Sequence, residues 1–304
     1  MLNPKFNPAN SILQQLNAPC LGNTKNIYIK RDDLIHPIVS GNKWRKLEFA
    51  IEKAKAEGKN HLATFGGAYS NHMLAAACAG AVLGLKTSCF LRGDELSQKN
   101  NHYLFLAKLY GMELIPVSRD KYRLKNELFD EIFGEDSKAY FISEGGESEE
   151  GLKGVAKIIA ELDFVPDHII HASATGTTAL GLAKGLLENS ISENQTKIFA
   201  VAVLKNAAEQ LEKIENKSFT KYISLIEGFE CGGYAKTTPE LLQFCKDFIR
   251  QTGIIIDPVY TGKALFALKE MISNGTISED KKTVFLHTGG MMGIFSDKFM
   301  SDFK

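Results

Sequence analysis

The stretch SGNKWRKL at residues 40–47 follows a β-rich run, IYIK at residues 27–30, and opens a helix. A helix start usually carries Ser, Thr, Asp or Asn as its cap and acidic side chains in its first turn. Here Lys43, Arg45 and Lys46 stand at the positive end of the helix dipole instead. Two interpretations fit: a solvated basic helix start, or a functional site at which an anion such as a phosphate offsets the local cost. A lysine whose pKa is lowered by neighbouring cations is also a good nucleophile toward a carbonyl group.

The alternation of strand and helix patterns continues along nearly the whole chain. Apolar, β-rich runs predict strands, and stretches with helical periodicity predict the helices between them. Alternation of this kind is typical of βαβ units with parallel sheets. The predicted strands are residues 27–30, 61–65, 85–91, 112–117, 167–172, 197–204 and 283–286, and the predicted helices are residues 43–58, 71–84, 102–110, 121–133, 151–162, 177–188, 239–252 and 262–273.

The length of 304 residues is sufficient for two packed domains. We predict an α/β fold with two domains, each built on an open, twisted, mostly parallel sheet that is flanked by helices. Residues 44–144 are expected to form a small inserted α/β domain. Residues 1–43 and 145–304 are expected to form the large, ligand-binding domain.

The composition excludes several classes of function. Hydrophobic residues make up 44% and charged residues 24% of the chain, and 36 basic residues balance 36 acidic ones. This balance argues against broad electrostatic binding of nucleic acid or of an anionic membrane. No apolar run approaches transmembrane length, and the beginning of the chain lacks the apolar core of a signal peptide. The five cysteines form no CxxC pair, which favours a cytoplasmic protein with reduced thiols over a disulfide framework or a metal site.

Two loops that follow predicted strands have residues suited to anion binding, at the edge where open α/β sheets bind ligands. In GGAYSNH at residues 66–72, the glycines allow close approach of a ligand, and Ser70 and Asn71 either grip a carboxylate or simply cap a helix. In HASATGTTA at residues 171–179, Gly176 and three threonines form either a phosphate cradle or a plain capped turn. This loop matches neither the nucleoside triphosphate nor the NAD fingerprint.

Two further loops carry hydroxyl groups. In DPVYTGKA at residues 257–264, Tyr260 stands just before a helix and is either an acid, base or hydrogen-bond donor, or a buried structural tyrosine. In HTGGM at residues 287–291, the glycines would hold the Thr288 hydroxyl close to a ligand, where it could contact a ring nitrogen.

Together these five motifs, in this order, resemble the fold-type II pyridoxal-phosphate enzymes, in the branch of 1-aminocyclopropane-1-carboxylate deaminase and D-cysteine desulfhydrase. The resemblance covers residues 28–290. It implies a tryptophan synthase β-like fold, pyridoxal 5′-phosphate as cofactor, a small amino acid as substrate, and a homodimer. It also implies a lyase, or a hydrolase in the case of a deaminase.

The resemblance assigns the cofactor contacts residue by residue. Lys43 is the Schiff-base lysine, and Lys46 reaches the cofactor phosphate. Asn71 holds the cofactor hydroxyl or the substrate carboxylate, and Thr288 faces the ring nitrogen. The remaining cofactor-binding residues form the phosphate loop and are Ala174, Thr175, Gly176, Thr177 and Thr178.

The resemblance also assigns the residues that contact the substrate. Ser70 matches the catalytic serine, and Tyr260 and Tyr234 match two active-site tyrosines. Asn42 and His72, together with Ser70 and Asn71, are expected to bind the substrate. The context of Tyr234 departs from the family's usual tyrosine-glycine pattern.

Three positions bear on the choice of reaction. Thr261 stands where ring-opening deaminases resemble one another in having glutamate, and His72 stands where they tend to have glutamine. The Thr288 hydroxyl can only form a hydrogen bond to the ring nitrogen, whereas a glutamate there would strengthen the electron sink of the cofactor. The milder sink suffices for β-elimination. The sequence therefore favours conversion of D-cysteine to pyruvate, hydrogen sulfide and ammonia, with deamination of 1-aminocyclopropane-1-carboxylate to 2-oxobutanoate as the alternative. Tyr69 stands where the relatives usually carry glutamine.

Two other classes of function remain open at this point. The chain could be a cofactor-binding relative without catalytic activity, although such a carrier would need neither Ser70 nor Tyr260. It could also be a nucleotide-binding Rossmann protein, which would not use Lys43 to attach a cofactor.

Overall fold

The computed structural model describes residues 6–97, 101–215, 219–295 and 297–301. Within these ranges the strands and α-helices are numbered in chain order. The strands are β1 (Leu13–Gln15), β2 (Ile27–Lys30), β3 (His61–Gly66), β4 (Lys86–Arg92), β5 (Glu113–Val117), β6 (Ala139–Phe141), β7 (His168–Ser173), β8 (Lys197–Ala202), β9 (Ile223–Ile226) and β10 (Thr283–Leu286). The helices are α1 (Asn42–Ala56), α2 (Asn71–Leu83), α3 (His102–Leu109), α4 (Lys125–Phe133), α5 (Glu149–Ala160), α6 (Thr177–Glu188), α7 (Ala207–Glu215), α8 (Pro239–Thr252), α9 (Thr261–Ser273) and α10 (Asp297–Ser301).

The strands form two separate sheets. The larger sheet has the order β1-β2-β10-β7-β8-β9, and all its neighbouring strands are parallel except the pair β1 and β2. The smaller sheet has the order β5-β4-β3-β6 and is parallel throughout. This confirms the predicted α/β fold with two mostly parallel sheets flanked by helices. The strands of the smaller sheet all lie within residues 44–144, and the domain boundaries themselves stay a prediction.

Helices cover both faces of each sheet, which explains why the central strands are apolar along their whole length. Every residue of β3 and β10 is buried. In the larger sheet, α8 and α9 pack on one face around Phe248 and Phe285, and α5 and α6 pack on the other around Leu182. In the smaller sheet, Phe65 and Phe90 stack with their ring centroids 4.5 Å apart.

Helix α1 packs against helices on both sides and carries the SGNKWRKL motif at its start. It contacts α5 on the side of the larger sheet and α2 on the side of the smaller one. The contact with α5 is close because Gly154 has no side chain, and a Cβ there would overlap the carbonyl of Arg45. The burial of Trp44 and Leu47 in one cluster with Leu62 of β3 and residues of α2 fixes the other side of the helix.

The structure differs from the sequence-based prediction in several short elements. The predicted helix 121–133 is a 3₁₀ turn at Lys121–Arg123 followed by α4, because Leu124 has a non-helical backbone with ψ of 61°. Strands β1, β6 and β9 were not predicted, since three or four residues give no readable periodicity. Helices α7 and α10 were not predicted either. The beginning of the chain, for which the sequence predicted no signal-peptide core, lies partly outside the described residues. Among the helices that the structure describes, none has the length and apolar character needed to cross a membrane.

Candidate active site

A cleft of about 1130 Å³ opens where parallel strands of both sheets end. The loops that line it follow β3, β7 and β10, the carboxyl ends at which α/β sheets bind ligands. All the predicted site residues line this cleft except Thr177. Those that do are Asn42, Lys43, Lys46, Ser70, Asn71, His72, Ala174, Thr175, Gly176, Thr178, Tyr234, Tyr260 and Thr288.

The first turn of α1 is locked against the loop after β10. Gly41 precedes the helix with φ of +61°, and a Cβ at this position would overlap the carbonyl of Thr288. Only glycine fits both the backbone angle and the close approach. The Asn42 amide donates to the Thr178 hydroxyl at 3.0 Å, which ties the same turn to the start of α6. Lys43 is therefore held where three loops meet.

The two lysines at this junction are electrostatically strained. Burial lowers the pKa of Lys43 to about 8. Burial, and then the charge of Lys43, lower the pKa of Lys46, whose side chain is 3% exposed. The cost that the sequence indicated at this helix start is thus present in the fold. With this pKa the neutral, nucleophilic form of the Lys43 amine is a minor but appreciable fraction near neutral pH, and the two buried amines favour a bound anion.

The start of α6 supplies donors for such an anion. Gly176 has φ of +78° and provides no side-chain cap, so the helix begins with free backbone N–H groups. The Thr177 hydroxyl is turned to that of Thr175, 2.9 Å away, and supports the turn from behind the cleft wall. Together with Lys46 and the Thr178 hydroxyl, this arrangement fits a phosphate group.

Two further residues of the cleft lining, which were not predicted from the sequence, stabilise the phosphate loop. The Asn206 amide donates to the carbonyl of Ala174 at 2.7 Å, and the Gln210 amide donates to Asn206 Oδ1 at 2.9 Å. The Gln210 oxygen accepts from the Ser173 hydroxyl at 2.6 Å. No sequence signal marked them, because helix α7 itself was not predicted.

Ser70 and Asn71 combine structural and ligand-facing roles. The Ser70 oxygen accepts from the backbone N–H of Met73 at 3.2 Å, so it caps α2 while its O–H stays free to donate into the cleft. Asn71 Oδ1 accepts from the hydroxyl of Tyr103 at 3.2 Å, which reserves Nδ2 as a donor. Nδ2 lies against Gly290, where a Cβ would approach it to 2.9 Å. Tyr103, 32 residues away on α3, is a further site residue that sequence reasoning missed.

His72 faces the cleft as a hydrogen-bond acceptor. The Thr64 hydroxyl donates to the carbonyl of Ile142 at 2.8 Å, so its oxygen accepts from His72 Nε2 at 3.0 Å. Burial, with the charges of Lys43 and Lys46, lowers the pKa of His72 to about 3, which keeps the ring neutral. The buried Nδ1 then carries a lone pair and has no partner among the described residues. This geometry favours a ligand hydroxyl over a carboxylate as the partner of His72.

The DPVY motif positions Tyr260 through its aspartate. Asp257 Oδ2 accepts from the N–H groups of Val259 and Tyr260 at 3.0 Å, and Oδ1 accepts from the N–H and hydroxyl of Thr261 at 2.9 and 2.7 Å. Thr261 is therefore engaged inside the protein and does not line the cleft. Burial raises the pKa of Tyr260, so its phenol keeps the proton and acts as a donor.

The two positions that depart from the family pattern meet each other across the cleft. The Tyr234 hydroxyl donates to the backbone carbonyl of Tyr69 at 3.2 Å. The ring of Tyr234 also packs edge-on to Tyr260, with centroids 6.3 Å apart. Burial raises the pKa of Tyr234 to about 12. The contact at position 69 is made by the backbone carbonyl, so it does not depend on which side chain stands there.

The sequence profile described as "Pyridoxal-phosphate dependent enzyme" matches residues 10–289. The chain belongs to this family. It is 32% identical over 295 residues to a protein of Pyrococcus horikoshii, with 91% of this chain and 88% of that protein covered. That protein carries a provisional 1-aminocyclopropane-1-carboxylate deaminase name. A protein of Arabidopsis thaliana named "Bifunctional D-cysteine desulfhydrase/1-aminocyclopropane-1-carboxylate deaminase, mitochondrial" is 30% identical over 310 residues, which cover 93% of this chain and 77% of that protein.

Solved structures agree with this membership. A crystal structure described as an "ACC deaminase homologue" superposes with a TM-score of 0.81 at 29% identity and covers 96% of this chain and 93% of that one. A fungal L-serine ammonia-lyase from Rhizomucor miehei has a TM-score of 0.72 at 16% identity, covering 97% and 98%, and shows the shared fold alone. The predicted fold type II is confirmed, and so are the cofactor, pyridoxal phosphate, and the lyase class. The hydrolase class is not supported.

The residues of the cleft fit this cofactor. The free N–H groups at the start of α6, with Lys46 and Thr178, suit its phosphate, and the low pKa of Lys43 suits its carbonyl carbon. The unpartnered acceptor at His72 Nδ1 and the reserved Asn71 amide suit its ring hydroxyl. The roles of the individual residues stay predictions.

Proposed function

We propose that this enzyme catalyses β-elimination from a small D-amino acid, and that D-cysteine is converted to pyruvate, hydrogen sulfide and ammonia with uptake of one water. The observation that carries the proposal lies at one wall of the cleft. Between residues 255 and 290, Tyr260, Thr288 and two glycines line it, and no carboxylate does. Asp257, the carboxylate nearest in sequence, is 1% exposed and is occupied by backbone N–H groups.

The absence of a carboxylate from this wall limits the reactions that the site can favour. When bound, pyridoxal phosphate supplies the electron sink for the carbanion at Cα. A carboxylate beside its ring nitrogen would favour the protonated ring and strengthen that sink, whereas the Thr288 hydroxyl can only form a hydrogen bond. A milder sink suffices when the negative charge departs with sulfur from Cβ. The wall therefore favours β-elimination over ring opening.

The side chains of the cleft can perform each proton transfer. Lys43, with a pKa of about 8, is matched to accept the Cα proton near neutral pH. Tyr260 keeps its phenolic proton and can donate it toward the departing sulfur. The free O–H of Ser70 is a donor for the substrate carboxylate, and the second N–H of Asn71 Nδ2 can serve it while the first binds the ring hydroxyl of the cofactor.

A second candidate is deamination of 1-aminocyclopropane-1-carboxylate, and the names of the relatives favour it. This substrate has no Cα proton, so its ring must open by nucleophilic attack or by proton loss at Cβ. Ser70 and the contacting pair Tyr234 and Tyr260 would then act directly on the ring carbons. The products would be 2-oxobutanoate and ammonia.

A comparison of substrates separates the two candidates. The holoenzyme is incubated with D-cysteine, L-cysteine or 1-aminocyclopropane-1-carboxylate at equal concentrations, and pyruvate, 2-oxobutanoate and sulfide are measured. L-cysteine controls for the reaction of free pyridoxal phosphate, which does not distinguish enantiomers. Equal amounts of pyruvate and sulfide from D-cysteine alone support the proposal. Faster formation of 2-oxobutanoate would replace it with the second candidate.

The pKa of Lys43 predicts how attachment of the cofactor depends on pH. Only the neutral amine attacks the cofactor carbonyl, and burial lowers the pKa from 10.5 to about 8. The rate at which the apoprotein attaches pyridoxal phosphate should therefore rise about tenfold per pH unit below pH 8 and level off above it. Stopped-flow absorbance measures this rate. A rate that still climbs beyond pH 10 would show that Lys43 titrates like an exposed lysine.

We also propose that the protein is a cytoplasmic homodimer. The resemblance to the family supports the dimer, and the scattered cysteines support the compartment. Analytical ultracentrifugation at micromolar concentration should give about twice the mass of 33.6 kDa. Sedimentation as a monomer under these conditions would contradict the proposed dimer.

A further inference from the structure

A buried lysine on α9 donates its hydrogen bonds to backbone carbonyls and to no side chain of the described residues. Lys263 is 1% exposed, and its ammonium donates to the carbonyls of Glu230 at 2.7 Å, Gly233 at 3.0 Å and Val203 at 3.1 Å. These three bonds use all three donors of the ammonium. Within the part of the chain that the structure describes, no carboxylate lies within ion-pair distance of Lys263. Burial of a charged amine costs desolvation free energy, and neutral carbonyl acceptors offset this cost less well than a carboxylate would. We therefore asked what these three bonds contribute.

Two of these carbonyls belong to a strained loop. Cys231 and Ala235 have φ of 52° and 54°, in the left-handed region that residues with a Cβ rarely occupy, and Gly232 and Gly233 also have positive φ. The loop has no helix or strand to hold it. Its backbone bonds run from Gly233 N–H to the Glu230 carbonyl and from Lys236 N–H to the Gly233 carbonyl, the same two acceptors that Lys263 binds.

The strained loop carries Tyr234, a side chain that lines the cleft. Tyr234 follows Gly233 directly, donates to the Tyr69 carbonyl at 3.2 Å and packs against Tyr260. The third carbonyl, at Val203, lies just beyond the end of β8. Lys263 therefore ties the Tyr234 loop both to the larger sheet and to α9, the helix that Tyr260 precedes.

We propose that Lys263 is a positioning residue, an internal cation whose contacts with the Glu230 and Gly233 carbonyls hold Tyr234 over the cleft. The alternative is a lysine that merely stabilises the packing of α9. The two roles differ in which part of the protein a substitution affects. Loss of a positioning residue affects the active site through Tyr234, whereas loss of a structural residue affects the fold as a whole. The kinetic part of the test rests on the proposed function, and the exchange part does not.

The first measurement is hydrogen–deuterium exchange of the holoenzyme with Lys263→Met, which keeps the stem and removes the charge. We expect amides of residues 228–236 to exchange at least about tenfold faster than in the unaltered protein, while those of β7 and β10 are unchanged. Lys269→Met, on the exposed side of the same helix, should change neither. Faster exchange in the sheet as well as the loop, or in neither, would overturn the proposal.

The second measurement is a double-mutant cycle with Tyr234→Phe, using kcat/KM for the substrate that the wild type turns over. If Lys263 acts through Tyr234, the double variant is no slower than the slower single variant, because the second change removes nothing further. If instead the decreases in kcat/KM of the two single variants multiply in the double variant, Lys263 acts independently of Tyr234, and the proposal is overturned. If Lys263→Met does not fold, Lys263→Gln, which keeps two donors, takes its place in both measurements. An enzyme inactive on every substrate would refute the proposed function, while the exchange result would still decide on Lys263.

Discussion

Replacement of Lys43 by alanine should reduce turnover by more than about a thousandfold and abolish the covalent attachment of pyridoxal phosphate. The residue stands where the loops before α1 and α6 and after β10 meet, a position fixed by Gly41 and Asn42. In the proposed function its amine, with a pKa of about 8, is both the nucleophile for the cofactor and the base for the Cα proton. Removal of one amine therefore removes two functions at once.

The matched control for this variant is Lys55→Ala, on the exposed side of the same helix. It should keep wild-type turnover and the visible absorbance of the bound cofactor. Borohydride reduction followed by mass spectrometry then locates the attached cofactor in the unaltered enzyme. A Lys43→Ala protein that stays yellow and active would show that another lysine carries the chemistry.

Tyr260→Phe should lower kcat by about 10- to 100-fold and change the dissociation constant of pyridoxal phosphate by less than about twofold. The substitution removes a proton donor and leaves the ring that packs against Tyr234 in place. The proposed cofactor contacts lie elsewhere, at Lys43, at Lys46 and at the start of α6. A loss of turnover without a loss of cofactor is therefore the signature of a catalytic hydroxyl.

Tyr28→Phe, on β2 and outside the cleft lining, is the control for the loss of a tyrosine hydroxyl. It should leave both kcat and cofactor affinity unchanged. Cofactor affinity is measured by fluorescence titration of the apoprotein, independently of turnover. Equal losses of kcat and of affinity in Tyr260→Phe would make Tyr260 a structural residue.

The sequence predicted the long, periodic parts of this fold well. Helices α6 and α8 and strand β10 begin and end at the predicted residues, because their apolar spacing and their start and stop residues agree. The electrostatic cost of Lys43 and Lys46 could also be predicted from the SGNKWRKL motif, because these two amines lie within one helical turn of each other. Arg45 does not share this cost, since it is paired with Asp32 and Glu161, which lie outside the helix. Local chemistry is readable from local sequence.

What the sequence could not reveal are bonds between distant residues. The hydroxyl of Tyr103 orients Asn71 from another helix. Thr64 sets the tautomer of His72, because its own hydroxyl donates to the carbonyl of Ile142, the residue after β6. These contacts of Tyr103 and Thr64 depend on the packing of elements, for which a single sequence has no local signal. Thr261 marks a different limit, because the resemblance compared it with a glutamate of the ring-opening deaminases, whereas its hydroxyl turns inward to Asp257, four residues earlier in the chain.

The most direct test of the account is to add pyridoxal phosphate to the apoprotein, record the visible spectrum, and then add D-cysteine while sulfide and pyruvate are measured. The account predicts a visible band that forms in the wild type and not in Lys43→Ala, followed by release of sulfide and pyruvate in equal amounts. A wild-type protein that gives no band with pyridoxal phosphate, or a band with no sulfide from D-cysteine, would contradict it.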